Sequence, residues 1–148
     1  MSRPPKNKIV EKPPLFNIFK PVGVRKRNLD KIVITIDEYE ALRLADWEGL
    51  DHAEAAIKME ISRSTFTRLI EKAHQKVADF IIHGKQLQIE GGYIHFRRNQ
   101  LRCRECGNIY PSDVVNLYPC PVCGSTNVEN IAKNFGHGRC CHRYGQNK

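Results

Sequence analysis

The sequence has no long apolar stretch. None of its 148 residues lies in a run of the roughly 20 apolar residues that a membrane-spanning helix needs, and the N-terminus lacks the apolar segment of a signal peptide. These absences exclude a membrane span and predict a cytoplasmic protein. Cysteines stay reduced in that compartment, so we expect the six cysteines to bind metal rather than form disulfides.

Motifs for catalysis are also absent. The chain has no internal repeat, no Gly-rich phosphate loop and no recognisable pairing of a nucleophile with a base. The carboxylates of Asp37, Glu38 and Glu40 are interpreted as helix-capping and solubilising groups, because nothing positions a catalytic partner beside them. The sequence therefore does not predict an enzyme. It has no coiled-coil seam either, which leaves the oligomeric state open.

Basic residues are in excess and unevenly distributed. The net charge is +8. Residues 1–31 carry nine basic and two acidic side chains, residues 32–83 carry six and ten, and residues 84–148 carry nine and four. A mildly acidic centre between basic flanks indicates a body with arms that contact a polyanion.

Periodic apolar residues predict three helices, at residues 36–47, 52–59 and 63–82. Asp51 and Glu54 form a capping box for the second helix, and Ser62 is a good N-cap for the third. Two helices joined by a short turn are the unit that docks on a DNA duplex. The predicted fold class is mainly α, with a three-helix helix-turn-helix domain at residues 31–84 and a small C-terminal β module that resembles a zinc ribbon.

The first half of the third predicted helix carries side chains that suit DNA. Arginine can donate two hydrogen bonds to guanine, and serine and threonine hydroxyls can bond bases or phosphates. The candidate DNA-binding residues here are Arg63, Ser64, Thr65, Thr67 and Arg68, with Lys72 and Lys76 as candidate contacts to the phosphate backbone. An ordinary amphipathic helix pair with a solvated basic face would give the same pattern.

Residues 1–30 are interpreted as a basic, proline-rich arm. Its Pro-Pro pairs prevent a continuous helix, and its apolar residues Leu15 and Phe16 predict partial docking on the helical core. Arg25, Lys26 and Arg27 form a basic cluster that we interpret as a contact to phosphate or the minor groove of DNA. The alternative is a solvated run of charges.

Residues 85–100 are interpreted as a linker that contains a hairpin. Residues 87–90 and 93–98 alternate like short strands, with two glycines between them. Gly84 is expected to end the third helix. Trp47, in the loop after the first helix, is expected to anchor the core.

Two Cys-x-x-Cys motifs, each followed by Gly, give the strongest chemical signal. Cys103 and Cys106 form the first and Cys120 and Cys123 the second, in a module at residues 101–133 that resembles a zinc ribbon. Four thiolates suit tetrahedral Zn²⁺ and leave no open position, so the predicted site is structural rather than catalytic. Iron in the same cage is an alternative, and disulfide exchange is a weaker one.

Residues 134–148 are interpreted as a flexible basic tail. His137, Cys140, Cys141 and His142 could bind a second soft metal or sense the redox state. The simpler interpretation is that these thiols have no specific role.

The order of these motifs resembles a known family. The string ITIDEYEALRLADWEGLDHAEAAIKMEISRSTFTRLIEKAHQKVADFIIHGKQLQIEGG, with FKPVGV upstream, closely resembles the uncharacterised protein family 0251, small prokaryotic proteins predicted to bind DNA. The resemblance covers about residues 15–92. It implies a helix-turn-helix similar to that in the fourth region of bacterial sigma factors, with the residues from Arg63 to Arg68 at the groove-facing end. Glu60 stands where such turns usually carry Gly, and a positive φ there would cost about 1 kcal/mol.

Three functions follow from these patterns as expectations. The first is a transcriptional regulator that docks helix 63–82 in the major groove of double-stranded DNA. The second is a zinc-ribbon adaptor that binds a protein, for example RNA polymerase, or RNA. The third is a metal- or redox-responsive regulator controlled by the tail cysteines. The sequence does not identify the operator, the regulated genes or the sign of regulation.

Overall fold

The structure, a computed structural model of the chain, describes residues 7–112 and 119–137. Over those residues 38% are helical and 22% are in strands, and eight strands form three sheets. The predicted mainly α, three-helix helix-turn-helix fold class is therefore wrong. The reason is that short strands from distant parts of the sequence surround the helices, and strands of two to five residues are too short to show a clear alternation.

Three helices nevertheless occupy the positions that apolar periodicity predicts. They are α1 (Ile36–Leu42), α2 (His52–Met59) and α3 (Arg63–His83). Thr35, Asp51 and Ser62 cap their N-termini, each accepting a hydrogen bond from the amide three residues further on. Gly84 ends α3 in the left-handed conformation, with a φ of 61°. Local capping chemistry therefore sets the limits of these helices.

The helix that begins as α1 widens before it ends. Residues Arg43–Trp47 form a π-helix, in which the Glu48 N–H donates to the Arg43 carbonyl at 2.9 Å. A π turn is wider than an α turn, so it rotates Trp47 away from the face on which Leu44 is buried. Trp47 is 85% exposed, and the prediction that it anchors the core is wrong.

In chain order the strands are β1 (Lys8–Val10), β2 (Ile18–Phe19), β3 (Lys31–Ile34), β4 (Gln86–Ile89), β5 (Ile94–Phe96), β6 (Asn99–Cys103), β7 (Ile109–Ser112) and β8 (Val128–Asn130). A short helix, α4 (Ile131–Asn134), follows β8. The first sheet pairs β1 with β5 in parallel. In the second, β4 lies between β2, which is antiparallel to it, and β3, which is parallel. In the third, β6 lies between β7 and β8, both antiparallel.

Strands β4 and β5 correspond to the two segments interpreted as a hairpin, but they belong to different sheets. Between them, Gly91 and Gly92 take φ values of 75° and 101°. A side chain at Gly92 would meet the Asp37 carboxylate at 2.5 Å, so the chain passes too close to α1 for any larger residue. The two glycines carry the chain from one sheet to the next rather than turning it back.

Two hydrophobic clusters form the main core. One joins α1, the π-helix after it, α2 and α3 through side chains such as Ala41, Leu44, Met59 and Phe66. The other brings together Val10 of β1, Phe96 of β5 and neighbours from α1, β4 and α4. Strand β1 is thus built into the core, where Val10 is fully buried, whereas Leu15 and Phe16 further along the N-terminal arm are exposed. Within the residues described, no helix is long and apolar enough to cross a membrane.

Candidate functional site

The four cysteines of the Cys-x-x-Cys motifs converge at one point. Their Sγ atoms all lie within 4.8 Å of one another. Cys103 is the last residue of β6 and is buried, as is Cys120, whereas Cys106 and Cys123 are exposed. The group therefore lies at the end of the central strand of the third sheet and could hold a metal ion, as the spacing predicts.

The two motifs fold into equivalent turns. Gly107 N–H donates to the Cys103 carbonyl at 2.9 Å, and Gly124 N–H donates to the Cys120 carbonyl at 2.8 Å. In both turns the amide of the first cysteine donates to the carbonyl five residues further on, at 2.9 Å. Both glycines have positive φ, 78° and 73°, which other residues rarely adopt. Each Cys-x-x-Cys-Gly turn thus contributes two thiols to the cluster, and the two turns lie on either side of it.

The spacing of the thiols fits a tetrahedral ion. With a metal–sulfur bond of about 2.3 Å, the edge of a regular tetrahedron of sulfurs is about 3.8 Å. Cys103 Sγ lies 3.5 Å from Cys123 Sγ, and Cys106 Sγ lies 3.5 Å from Cys120 Sγ. Thiolates favour soft or borderline ions such as Zn²⁺ or iron. Four such ligands would leave no position for a substrate or water.

The electrostatics of the cluster also favour a cation. The backbone N–H of Cys123, followed by that of Val122, outweighs burial and lowers the pKa of Cys120 to about 6. The Ser125 N–H acts to lower the pKa of Cys123, but contact with the Cys103 thiol, burial and the other two thiols raise it to about 12. One ionised thiol thus opposes ionisation of the next, and a divalent cation between them would remove that opposition.

The N-terminal end of α3 is a second candidate site. Arg63, Ser64, Arg68 and Lys72 are exposed, and the first turn of the helix contains no acidic residue. The turn before it passes through Glu60, whose φ of 55° and ψ of 44° are left-handed. The positive φ considered for this position from the sequence is therefore confirmed.

Four of the predicted DNA contacts make hydrogen bonds inside the protein. Ser64 Oγ and Thr65 Oγ1 lie 3.2 Å and 2.8 Å from Oγ of Ser62, the N-cap of the same helix. Thr67 Oγ1 lies 2.9 Å from His52 Nδ1 on α2, and Lys76 Nζ bonds a buried Glu38 carboxylate of α1 at 2.8 Å. The last two side chains connect α3 to its neighbours, whereas Ser64, Arg68 and Lys72 are exposed on its outward face.

Helical periodicity adds two residues to that face that the sequence interpretation missed. Gln75 and Glu71 are exposed and follow Ser64 and Arg68 at helical spacing. Glutamine can bond adenine with two hydrogen bonds, whereas a glutamate is repelled by phosphate. The face therefore combines two basic side chains with one acidic side chain.

The basic cluster of the N-terminal arm lies elsewhere. Arg25, Lys26 and Arg27 are exposed and lead through a 3-10 helix to Asp30, whose carbonyl accepts a bond from the Gln86 N–H at 2.8 Å. Gln86 follows the C-terminus of α3, and a helix of 21 residues is about 30 Å long. The cluster and Arg63 therefore lie toward opposite ends of α3.

The chain is similar to other proteins over its length. A family profile described as protein of unknown function DUF134 matches residues 1–97. A UPF0251 protein of Chloroherpeton thalassium is 47% identical over 99% of both chains, and one of Moorella thermoacetica is 41% identical over 99% of this chain and 96% of its own. The chain belongs to the UPF0251 (DUF134) family. No solved structure matches it.

The family profile covers one of the two candidate sites of this UPF0251 protein. It spans α1, α2 and α3 and ends at residue 97, before Cys103. The two relatives extend over nearly the whole chain, including the cysteine module. The family membership expected from the sequence is thus confirmed, and the names of the relatives say nothing about DNA or metal.

The tail of this UPF0251 protein is described only as far as residue 137. The His137 ring packs edge-on against Phe96, with centroids 6.0 Å apart, and burial, followed by the charge of His95, lowers its pKa. Cys140, Cys141 and His142 lie outside the described residues. The interpretation of these three as a soft-metal or redox site therefore stays a prediction.

Proposed function

We propose that this protein binds double-stranded DNA through the N-terminal half of α3. The observation that carries the proposal is the exposed set Arg63, Ser64, Arg68 and Lys72 on a helix end without an acidic first turn. The free N–H groups and the positive dipole end of a helix attract phosphate. The two arginines would then contact bases or phosphates in the major groove.

The helix that would enter the groove is held rigidly. His52 on α2 bonds Thr67 at 2.9 Å and packs edge-on against Phe66, with ring centroids 5.4 Å apart. Phe66 and Met59 are fully buried between the helices. A rigid helix loses little entropy on binding, which favours a specific contact over a loose electrostatic one.

Binding to a duplex selected from a random pool tests this proposal. At one stated salt concentration, we expect Arg63→Ala or Arg68→Ala to weaken binding by about 1–3 kcal/mol, a loss of roughly 5- to 150-fold. The matched control is Lys133→Ala, which removes one exposed positive charge from α4 and should have a much smaller effect. If both arginine variants bind like the control, the proposed face does not contact DNA.

The dependence of DNA affinity on salt concentration distinguishes phosphate contacts made by the N-terminal arm from base contacts made by α3. Substituting Arg25, Lys26 or Arg27 should lower the slope of log affinity against log salt by about one for each phosphate that the protein no longer neutralises. The preferred sequence should not change, because contacts to phosphate carry no base information. A changed sequence preference would instead indicate that the arm reads the minor groove.

The cysteine cluster is proposed to hold structural Zn²⁺, with iron as the alternative. Few side chains support this module: its own cluster contains Leu101, Cys103, Cys120 and Val128. A metal bound by four thiolates contributes folding energy to so small a core. Metal analysis of the purified protein distinguishes the two ions. Absence of both, with full module structure by NMR, would contradict a structural metal.

An adaptor that binds another protein is a second candidate function. It is favoured by large apolar side chains that the fold leaves exposed, Trp47 at 85%, Ile81 at 68% and Ile82 at 73%. With purified RNA polymerase as the probe, Trp47→Ser should weaken association while leaving duplex binding unchanged. If the parent and Trp47→Ser associate equally with the polymerase, the exposure of Trp47 no longer supports this function.

A further inference from the structure

A cleft lies between part of the cysteine module and the N-terminal segment with α1. It has a volume of about 600 Å³, within the 300–1,000 Å³ range of typical small-molecule sites. One wall comes from the N-terminal segment and α1, at Pro13 and Tyr39, and the opposite wall from the module, at Ile109 and Ile131. Both walls are thus formed by parts of the chain that are far apart in sequence.

Half of the residues that line this cleft are apolar or aromatic: Pro13, Leu15, Tyr39, Ile109, Pro111 and Ile131. Among them, Leu15 and Ile109 are 50% and 40% exposed. The floor includes Gln100, which is 4% exposed and fixed by a hydrogen bond from its Nε2 to the Glu11 carbonyl at 3.3 Å. A ligand that fills the cleft would therefore remove apolar surface from water while meeting an ordered polar group.

The rim of the cleft is positively charged. Lys12, Arg43, Arg97 and Arg98 line it, and Glu11 is the one acidic side chain among the described residues that line the cleft. Arg43 is already neutralised, because Glu40 and Glu48 each lie 2.6 Å from its guanidinium.

Two of the four cations on the rim form no ion pair with a carboxylate of the described residues. Over residues 7–112 and 119–137, Lys12 and Arg97 have no carboxylate within 4.0 Å. Arg97 instead donates to the Lys58 carbonyl at 3.3 Å. Lys12 interacts with Glu48 at longer range, where its charge helps to lower the pKa of that carboxyl. Neither the Lys12 nor the Arg97 charge is neutralised by a directly paired carboxylate of the described residues, so both can attract an anion at the mouth of the cleft.

We propose that this cleft binds a small organic anion, a carboxylate or sulfonate with an aromatic or aliphatic body. The body would lie between Tyr39 and Ile109, and the anionic group would lie at the mouth, toward Lys12 and Arg97. This combination of apolar walls with a few convergent polar groups is the general form of a small-molecule site. The proposal does not depend on DNA binding, since the exposed face of α3 contributes no lining residue.

Anilinonaphthalene sulfonate is a suitable probe, because it combines an aromatic body with one negative charge. Titrated into the full-length, metal-loaded protein and followed by fluorescence, it should bind saturably at one site. Lys12→Gln and Arg97→Gln should each weaken it about threefold, as expected for one partly exposed charge. Lys20→Gln is the matched control, because Lys20 is equally basic and exposed but lies outside the cleft.

Two further measurements keep the test independent of folding effects. Ile109→Trp should fill the cleft and abolish binding, and circular dichroism shows whether that variant keeps its fold. In the parent protein, NMR should show a shift of the Gln100 side-chain amide when the probe is added.

An uncharged probe tests the contribution of the anionic group. Phenylnaphthylamine, which has a similar aromatic body without the charge, should bind more weakly than the sulfonate.

Several results would overturn the proposal. Binding that is unchanged in both charge variants would show that the rim is not used. Loss of binding in Ile81→Ser would place the probe on the exposed apolar end of α3 instead. Competition by inorganic phosphate at equal concentration would show that the apolar walls contribute nothing. An unshifted Gln100 amide at saturation would exclude the cleft altogether.

Discussion

The buried ion pair of Arg43 gives the most quantitative prediction for this fold. The Arg43 side chain is 9% exposed and contacts Glu40, which is 2% exposed, at 2.6 Å. It also contacts Glu48 at 2.6 Å and Glu11 at 3.4 Å, which are 30% and 45% exposed. Replacing Arg43 by Met keeps the volume of the side chain but leaves the Glu40 carboxylate buried without its counter-ion.

The exposed fraction of each partner determines how much its substitution should lower the free energy of unfolding. Removing one partner of a buried pair costs about 3–5 kcal/mol, whereas a surface pair contributes about 0–1 kcal/mol. We therefore expect Arg43→Met to destabilise the protein by about 3–5 kcal/mol, and Glu48→Gln or Glu11→Gln by less than about 1 kcal/mol. The double variant Arg43→Met/Glu40→Gln should recover most of the loss, because the glutamine oxygen can still accept the Glu11 N–H.

Chemical and thermal denaturation of the parent and variant proteins measure these differences. For a chain of this length, 1 kcal/mol corresponds to about 2–4 °C in Tm, so Arg43→Met should lower the Tm by roughly 6–20 °C. The reasoning fails if Glu48→Gln costs as much as Arg43→Met. It also fails if the double variant is no more stable than Arg43→Met, since the cost would then not come from the stranded Glu40.

Two further predictions concern single positions. Glu60→Gly should stabilise the protein by about 1 kcal/mol by relieving the left-handed strain, whereas Glu60→Ala, which keeps the strain, should not. The second concerns Glu48, where hydrogen bonds and charge from Arg43 outweigh burial and lower the pKa. Because the pKa of Glu48 is lower in the folded than in the unfolded protein, its ionised carboxylate stabilises the fold at pH values above the unfolded pKa of about 4.3. This stabilisation is lost as the pH falls through the folded pKa. The stability difference between parent and Glu48→Gln should thus be constant near neutrality and shrink below about pH 4; a difference that grows in acid would refute the assignment.

The helices and the cysteine cluster could be predicted because their signals are local. Asp51 and Glu54 identify the start of α2, Ser62 that of α3 and Gly84 its end, each through a bond to a near neighbour in sequence. The Cys-x-x-Cys-Gly turns are equally local, and only their meeting at Cys103 requires the fold. Such chemistry does not depend on what packs around it.

The first two sheets could not be predicted, because their pairing is non-local. Strand β1 at Lys8–Val10 pairs with β5 more than 80 residues later, and β3 pairs in parallel with β4 across all of α1, α2 and α3. A three-residue strand has no periodicity of its own. Val10 becomes a core residue only because Phe96 and Ala132 arrive beside it. The mainly α prediction therefore failed at the segments whose structure depends on distant partners.

The same distinction applies to the candidate DNA contacts. Composition treats Thr67 and Lys76 as equivalent to Arg68 and Lys72, since all are polar residues of one helix. In the fold, Thr67 and Lys76 face His52 and Glu38, so their hydrogen-bonding capacity is used inside the protein. A side chain that joins α3 to its neighbours orients the helix but does not read a base. Substitutions there should therefore change stability first and DNA affinity only through it, whereas Arg68→Ala should change affinity at constant stability.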